Sequence, residues 1–194
     1  MSSDPVKSPG PIGQPVPGGR TDLRIAISGK SGCGNSTVSR IVASRLGLRV
    51  VNYTFKDLAR DRGMSFDEVC REAEKDPEYD YTIDRMQVAL AGEGGCVLGS
   101  RLAIWLLRGS ALTVYLQAGL EARAERISRR ESIPLPEALA DTTARDKRDH
   151  DRYLRLYGYD VDRWDFADLV VDAEALDQEA VAARIVERAL TGIT

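Results

Sequence analysis

The run LRIAIS, residues 23–28, leads straight into GKSGCGNST, Gly29 to Thr37, and on through VSRIVASRLG to Gly47. The first run is short, apolar and β-branched, as a buried strand requires. After the loop, Val38, Ile41, Val42 and Leu46 recur at helical spacing, and Gly47 provides a stop. Strand, glycine-rich loop and helix in that order is the context in which G-x-x-x-x-G-K-[ST] works as a phosphate-binding loop. Such a loop constrains the whole fold, because its strand belongs to a parallel sheet whose ligands lie beyond the carboxyl ends of the strands. One position departs from the pattern. Asn35 stands where the lysine is expected.

The rest of the chain continues in the same rhythm. LRVVNY (48–53), CVLGS (96–100), LTVYLQA (112–118) and DLVVDA (168–173) read as four further strands. Residues 56–92 read as three helical pieces, punctuated by Gly63 and by Asp76-Pro77. A long charged helical stretch separates the last two strands, and EAVAARIVERAL (179–190) closes the chain. Alternation of this kind predicts an α/β fold, a five-stranded parallel sheet flanked by helices. The glycine loop and the pair Ser100-Arg101, which follows the third strand, are then expected at one site.

Length fits one domain, 22–194, with a single core. Ahead of it, residues 1–21 contain five prolines and four glycines with few bulky apolar side chains, the composition of a disordered tail. A net charge of −3 gives no support to nucleic-acid binding, which calls for a basic domain. No apolar run approaches the roughly 20 residues that span a bilayer, and the N-terminus lacks the apolar core of a signal peptide. Cys33, Cys70 and Cys96 match no metal-ligand spacing and read as reduced thiols. A cytoplasmic protein without membrane partners, monomeric or homodimeric, is expected.

Chemistry concentrates in the loop. Backbone N–H groups of residues 32–37 and the start of the helix form an anion nest that needs no side chain at 35. Gly29, Lys30, Ser31, Gly32, Cys33, Gly34, Asn35, Ser36 and Thr37 are the expected ATP-binding set, with the Ser36 hydroxyl at the Mg2+ position. Losing one preorganised cation costs on the order of 10²–10³ in rate. Lys30, inside the loop, is one source of compensating charge, and a solvent-facing Lys30 is the alternative.

Arginines further along are the other source. Arg123, Arg126 and Arg130 recur at helical spacing before SIPLP, with Arg129 beside them, and Arg145, Asp149 and Arg152 share a second helix face. These two helices form either a phosphate-gripping lid or a solvated face of ion pairs. The glycine loop on the same sheet favours the lid. His150, between Asp149 and Asp151, is not expected to be catalytic.

Successive blocks now carry a resemblance. GKSGCGNST, ARDRGMS (59–65), DPEYDYTIDRMQ (76–87), CVLGSRLAIWLL (96–107), EARAERISRRE (121–131), RDKRDHDRYLRLYGYD (145–160) and DLVVDA are similar, in order and spacing, to cytidylate kinases of the archaeal type. These are P-loop nucleoside monophosphate kinases, and the resemblance covers residues 23 to about 190. It implies a P-loop kinase fold with acceptor-binding helices at about 55–92 and a short lid at about 128–138. It also implies transfer of the γ-phosphate of ATP to CMP or dCMP with Mg2+.

By the same resemblance, Arg101 grips the acceptor phosphate and Arg85 lies on the acceptor side. Arg145, Asp149 and Arg152 bridge the nucleotide phosphate and the acceptor, while Arg126 and Arg130 close over the transferring group. Lys30, Arg126, Arg130 and Arg145 are the residues assigned to catalysis. Two departures stand out. Lys56 replaces an arginine of the family's acceptor-phosphate turn. Leu102 follows Arg101 where larger bacterial enzymes carry an aspartate that helps read the base, so base selectivity has to come from elsewhere.

Overall fold

Alternation along the central strands decides how this chain packs. In the computed structural model, which describes residues 22–191, β1 (Arg24–Ser28) sends Ile25 and Ile27 to one face and Ala26 to the other. β3 (Cys96–Gly99) divides in the same way, Val97 against Cys96 and Leu98. In β4 (Leu112–Gln117) the division is Val114 and Leu116 against Tyr115. Both faces are apolar, as a sheet covered by helices on both sides requires. With β2 (Arg49–Val51) and β5 (Leu169–Asp172), the strands form one parallel sheet in the order β2-β3-β1-β4-β5. All five expected strands are present, each one or more residues shorter than its apolar run. The expected Pro/Gly-rich tail, 1–21, lies outside the described residues.

On the first face lie α1 (Asn35–Leu46) and α8 (Gln178–Thr191). Val38, Val42 and Ala43 from α1 meet Val181, Ala182 and Ile185 from α8 over Ile25, Ile27 and Val114. Complete burial of each such aliphatic side chain is worth about 1.5–3 kcal/mol. Three helices fill the range read as acceptor-binding: α2 (Phe55–Arg62), α3 (Phe66–Lys75) and α4 (Glu78–Gly92). They pack on one another through Leu58, Val69 and Ile83. Their starts are written locally, since Ser65 and Glu68 form a reciprocal capping box at the head of α3.

The second face is covered differently. A short α5 (Ala103–Leu106) and an irregular segment, 158–168, lay aromatic rings against it. Trp164 stacks on Tyr115 with ring centroids 4.8 Å apart, and Phe166 meets Trp105 edge-on at 5.7 Å. Beyond the sheet, α6 (Leu120–Glu131) and α7 (Leu135–Tyr157) form a hairpin closed by Ala124, Ile127 and Ala138. The range expected as a lid, 128–138, thus comprises the end of α6, a three-residue turn and the start of α7. Ser128 Oγ donates to the Ile133 carbonyl across that turn at 2.6 Å. Among the described residues, no helix is long and apolar enough to cross a membrane.

Candidate active site

The sheet order reverses at β1. Its connection leads to the β2-β3 side and that of β4 leads to the β5 side, which opens a crevice at the carboxyl ends of the strands. Residues 29–34 turn there into α1. Gly32 (φ +89) and Gly34 (φ +96) are in the left-handed region, and a Cβ on Gly32 would lie 2.8 Å from the Arg123 backbone and side chain. Only glycine fits that close approach. The Asn35 side chain folds back over the loop, with Nδ2 donating to the Gly29 carbonyl at 2.6 Å. Its Oδ1 is buried without a hydrogen-bond partner.

A cleft of about 470 Å³ opens over this loop. Among its lining residues are Ser36, Thr37 and Gln178 and five cationic side chains, Lys30, Arg101, Arg126, Arg130 and Arg145, but no carboxylate. Such a lining suits a polyanion, held also by the unpaired amides of the first turn of α1. Arg145 projects from α7 and Arg130 from the last turn of α6, where it pairs with Glu131 at 2.7 Å. Lys30 is not free, because Asp162 of the aromatic segment holds its partly exposed ammonium at 2.6 Å. That ion pair, first through its hydrogen bond, keeps the Asp162 carboxyl below its ordinary range.

Two arginines of α6 brace the loop. Arg126 donates to the Ala173 carbonyl at 2.5 Å and to Gly32 at 3.5 Å. Arg123, whose side chain is 4% exposed, donates to the Ser31 and Ala118 carbonyls at 3.1 Å and grips Asp146 at 2.7 Å. Sequence reasoning grouped Arg123 with the lid charges, whereas its burial makes it a brace. Asp146 and Asp162 belong to no motif that marks them in the sequence. The signals available were the spacing of Arg123 from Ala124 and Ile127, and the aromatic run that carries Asp162.

A second cleft, about 290 Å³, lies between α4, the turn at 52–55, the start of α5 and Tyr153 of α7. Ser100 and Arg101 line both clefts. Ser28 fixes their turn, its Oγ donating to the Ser100 carbonyl at 2.9 Å and accepting the Ile104 amide at 3.1 Å. Arg101 is itself aimed by Ser31 Oγ at 2.8 Å and by Asp149 at 2.9 Å. Burial holds the Asp149 carboxyl above its ordinary range despite the opposing charge of Arg101.

Arg152 is spent on this side too, on Asp80 and on the Ala73 carbonyl at 3.2 Å, with its guanidinium 5.9 Å from the Phe55 ring centroid. Arg85 and Lys56 do not line the cleft. Arg85 pairs with Glu78 on the exposed side of α4, and Lys56 lies over the Phe66 ring at 5.8 Å. A third cleft, about 410 Å³, runs from Cys33 and Val38 past Arg126 to Ala173 and Gln178. It borders the loop on the side away from the second cleft.

A family model described as the cytidylate kinase-like family matches residues 24–175. "Cytidylate kinase 2" of Borreliella afzelii is 41% identical over 163 residues, covering 82% of this chain and 92% of that protein. "Cytidylate kinase" of Pyrococcus horikoshii is 36% identical, covering 83% and 85%. Among solved structures, a shikimate kinase of Acinetobacter baumannii in complex with shikimate superposes with a TM-score of 0.58 at 19% identity, covering 89% of this chain and 96% of that one. That likeness speaks to the fold alone.

Proposed function

The chain belongs to the cytidylate kinase-like family, and on that premise we propose that it transfers the γ-phosphoryl group of ATP to CMP, giving ADP and CDP. The observation that carries this reading is the meeting of two clefts at Ser100 and Arg101. One is lined as a polyanion site and the other is walled by the acceptor-side helices. A kinase for a phosphorylated acceptor needs that arrangement, with a cation between donor and acceptor phosphates.

In the reaction, an oxygen of the CMP phosphate attacks the γ-phosphorus as the bond to the ADP oxygen breaks. The attacking oxygen is already anionic, so no residue has to remove a proton, and catalysis reduces to alignment and charge neutralisation. Arg101 holds the acceptor phosphate. Arg145, Arg126 and Arg130 face the donor chain, with the loop amides beneath it. The third cleft suits the donor base, bounded by Arg126 and the apolar side chains of Val38 and Leu176. Mg2+, arriving with the triphosphate, would be held at the exposed Ser36 hydroxyl and would neutralise phosphate charge there. The surplus of cations and the lack of carboxylates in the loop cleft suit a metal that enters with its anion. The cytoplasm, where ATP and nucleoside monophosphates coexist, is the setting this reading implies.

The test is a coupled ADP-release assay with ATP and Mg2+ against CMP, dCMP, AMP, GMP and UMP. CMP turning over fastest is the expected result. Equal rates on all acceptors would remove the cytidine assignment, and no turnover with retained ATP binding would point instead to a nucleotide-binding module, the alternative that Asn35 favours.

A further inference from the structure

We propose that Gln87, with Asp84 beside it, is the element that selects the acceptor base, by accepting the two hydrogens of cytosine's 4-amino group. This deepens the CMP-kinase reading and rests on it. Leu102, next to Arg101 in the second cleft, is apolar and 2% exposed, so it offers a base no hydrogen bond. Polar readout has to come from another wall.

That wall is α4. Asp80, Ile83, Asp84 and Gln87 follow one helix face and line the cleft together. Asp80 is occupied by Arg152. Gln87 is 5% exposed, and its Nε2 donates to the Tyr53 carbonyl at 2.7 Å. This bond fixes the amide orientation, because a flipped amide would set two oxygens against each other. Oε1 is thereby committed as an acceptor, and it is buried with no partner. A buried acceptor left unsatisfied is costly and rare, so a ligand donor at this position removes a standing penalty.

Asp84 supplies the second acceptor. It receives the Tyr157 hydroxyl and keeps further lone pairs toward the cleft it lines. Burial, opposed by Tyr157 and reinforced by the Asp80 charge, pushes its carboxyl up to about 6, so it is ionised above neutral pH. Two acceptors three residues apart on a helix face match an amino group, which carries two donors. Carboxylate and amide oxygens accept well from the exocyclic amine of cytosine. Uracil would turn a carbonyl toward the same pair, an acceptor facing acceptors. A phosphate held at Arg101, at the junction of the clefts, leaves the base to reach inward to α4.

The experiment compares CMP, UMP and 2-pyrimidinone ribonucleoside 5′-monophosphate, which lacks only the 4-amino group, on the full chain. Wild-type kcat/KM should favour CMP over the analogue by about 10–100-fold, the scale of a buried hydrogen-bonding pair. In Gln87→Met, which keeps the side-chain volume, CMP should fall toward the analogue while the analogue changes by no more than about threefold. A merely structural Gln87 would lower all three acceptors in parallel. Equal kcat/KM for CMP and the analogue in the wild-type protein would overturn the proposal without any variant. So would an unchanged ratio in Gln87→Met. Calorimetric binding of the two nucleotides without ATP separates this idea from the kinase reading. Absence of turnover with a retained binding difference sinks only the latter, and equal binding sinks the former.

Discussion

Replacing Arg123 by methionine should damage the protein more than any other single arginine loss on α6. The side chain is 4% exposed and its partner Asp146 only 16%. It bonds the carboxylate through both Nη atoms and satisfies the carbonyls of Ser31 and Ala118. Methionine fills the space but strands a shielded carboxylate and two acceptors, and breaking a buried pair from one side costs about 3–5 kcal/mol. For a domain of this size, each kcal/mol lowers Tm by about 2–4 °C, so a drop of roughly 6–20 °C is expected. Urea titration and scanning calorimetry would measure it, with Arg129→Met as the control. Arg129 makes an exposed pair with Glu125, its side chain 77% exposed, and pairs of that kind are worth about 0.3–0.5 kcal/mol. Adding Asp146→Asn to Arg123→Met should recover part of the loss, with a coupling of about 0.5–3 kcal/mol. A Tm within about 2 °C of wild type for Arg123→Met, or strict additivity in the double variant, would refute this account of how the loop is held.

Other outcomes follow from the same geometry. Arg101→Ala should lower kcat/KM by at least about 10² and cost some stability, since Asp149 loses its partner; unchanged kinetics would remove Arg101 from the acceptor site. Asn35→Lys should change kcat less than tenfold, because five cations already line the loop cleft; a rise of a hundredfold or more would mean that charge is lacking there. Lys30→Ala, which leaves Asp162 beside His150 alone, should lower kcat more than ATP affinity, and a silent Lys30→Ala beside an impaired Arg130→Ala would assign the compensating charge to the lid. Asp84 has a folded pKa near 6, above its unfolded value of about 3.9. The native state therefore binds this proton more tightly, and wild-type stability should lose up to about 3 kcal/mol as pH rises from 4 through 6. Asp84→Asn should abolish that decline, as urea midpoints at pH 5 and 7.5 would reveal; parallel midpoints in both proteins would contradict it.

Periodic features made the fold legible. β-branched runs gave the strands, and Val38, Ile41, Val42 and Leu46 gave α1 its buried stripe. The loop was legible because strand, glycines and helix have to be contiguous. Burial of charge was not legible, since a sequence prints Arg123, Arg126 and Arg130 alike. Only packing distinguishes the buried, braced Arg123 from the exposed Arg130, which pairs with Glu131 at the edge of the loop cleft. Arg85 and Lys56 illustrate the same limit, as helix rotation turns both away from the cleft that their neighbours line. The segment 158–168 is hard to read in the sequence because it has no helical or strand period, although Tyr159, Val161, Trp164 and Phe166 mark it as apolar. Gln87 was hidden for another reason. Its significance lies in one oxygen left without a partner, which no residue pattern encodes.

The most direct test of the account is calorimetric binding of a bisubstrate analogue, adenosine and cytidine joined 5′ to 5′ by five phosphates. If the loop cleft and the α4 cleft are two halves of one site meeting at Arg101, one analogue should bind per chain, at least about 10²-fold tighter than ATP, because the second half binds at high effective concentration. Arg101→Ala should then abolish most of that advantage. Binding no tighter than ATP, or binding that CMP fails to compete, would contradict a shared site for donor and acceptor.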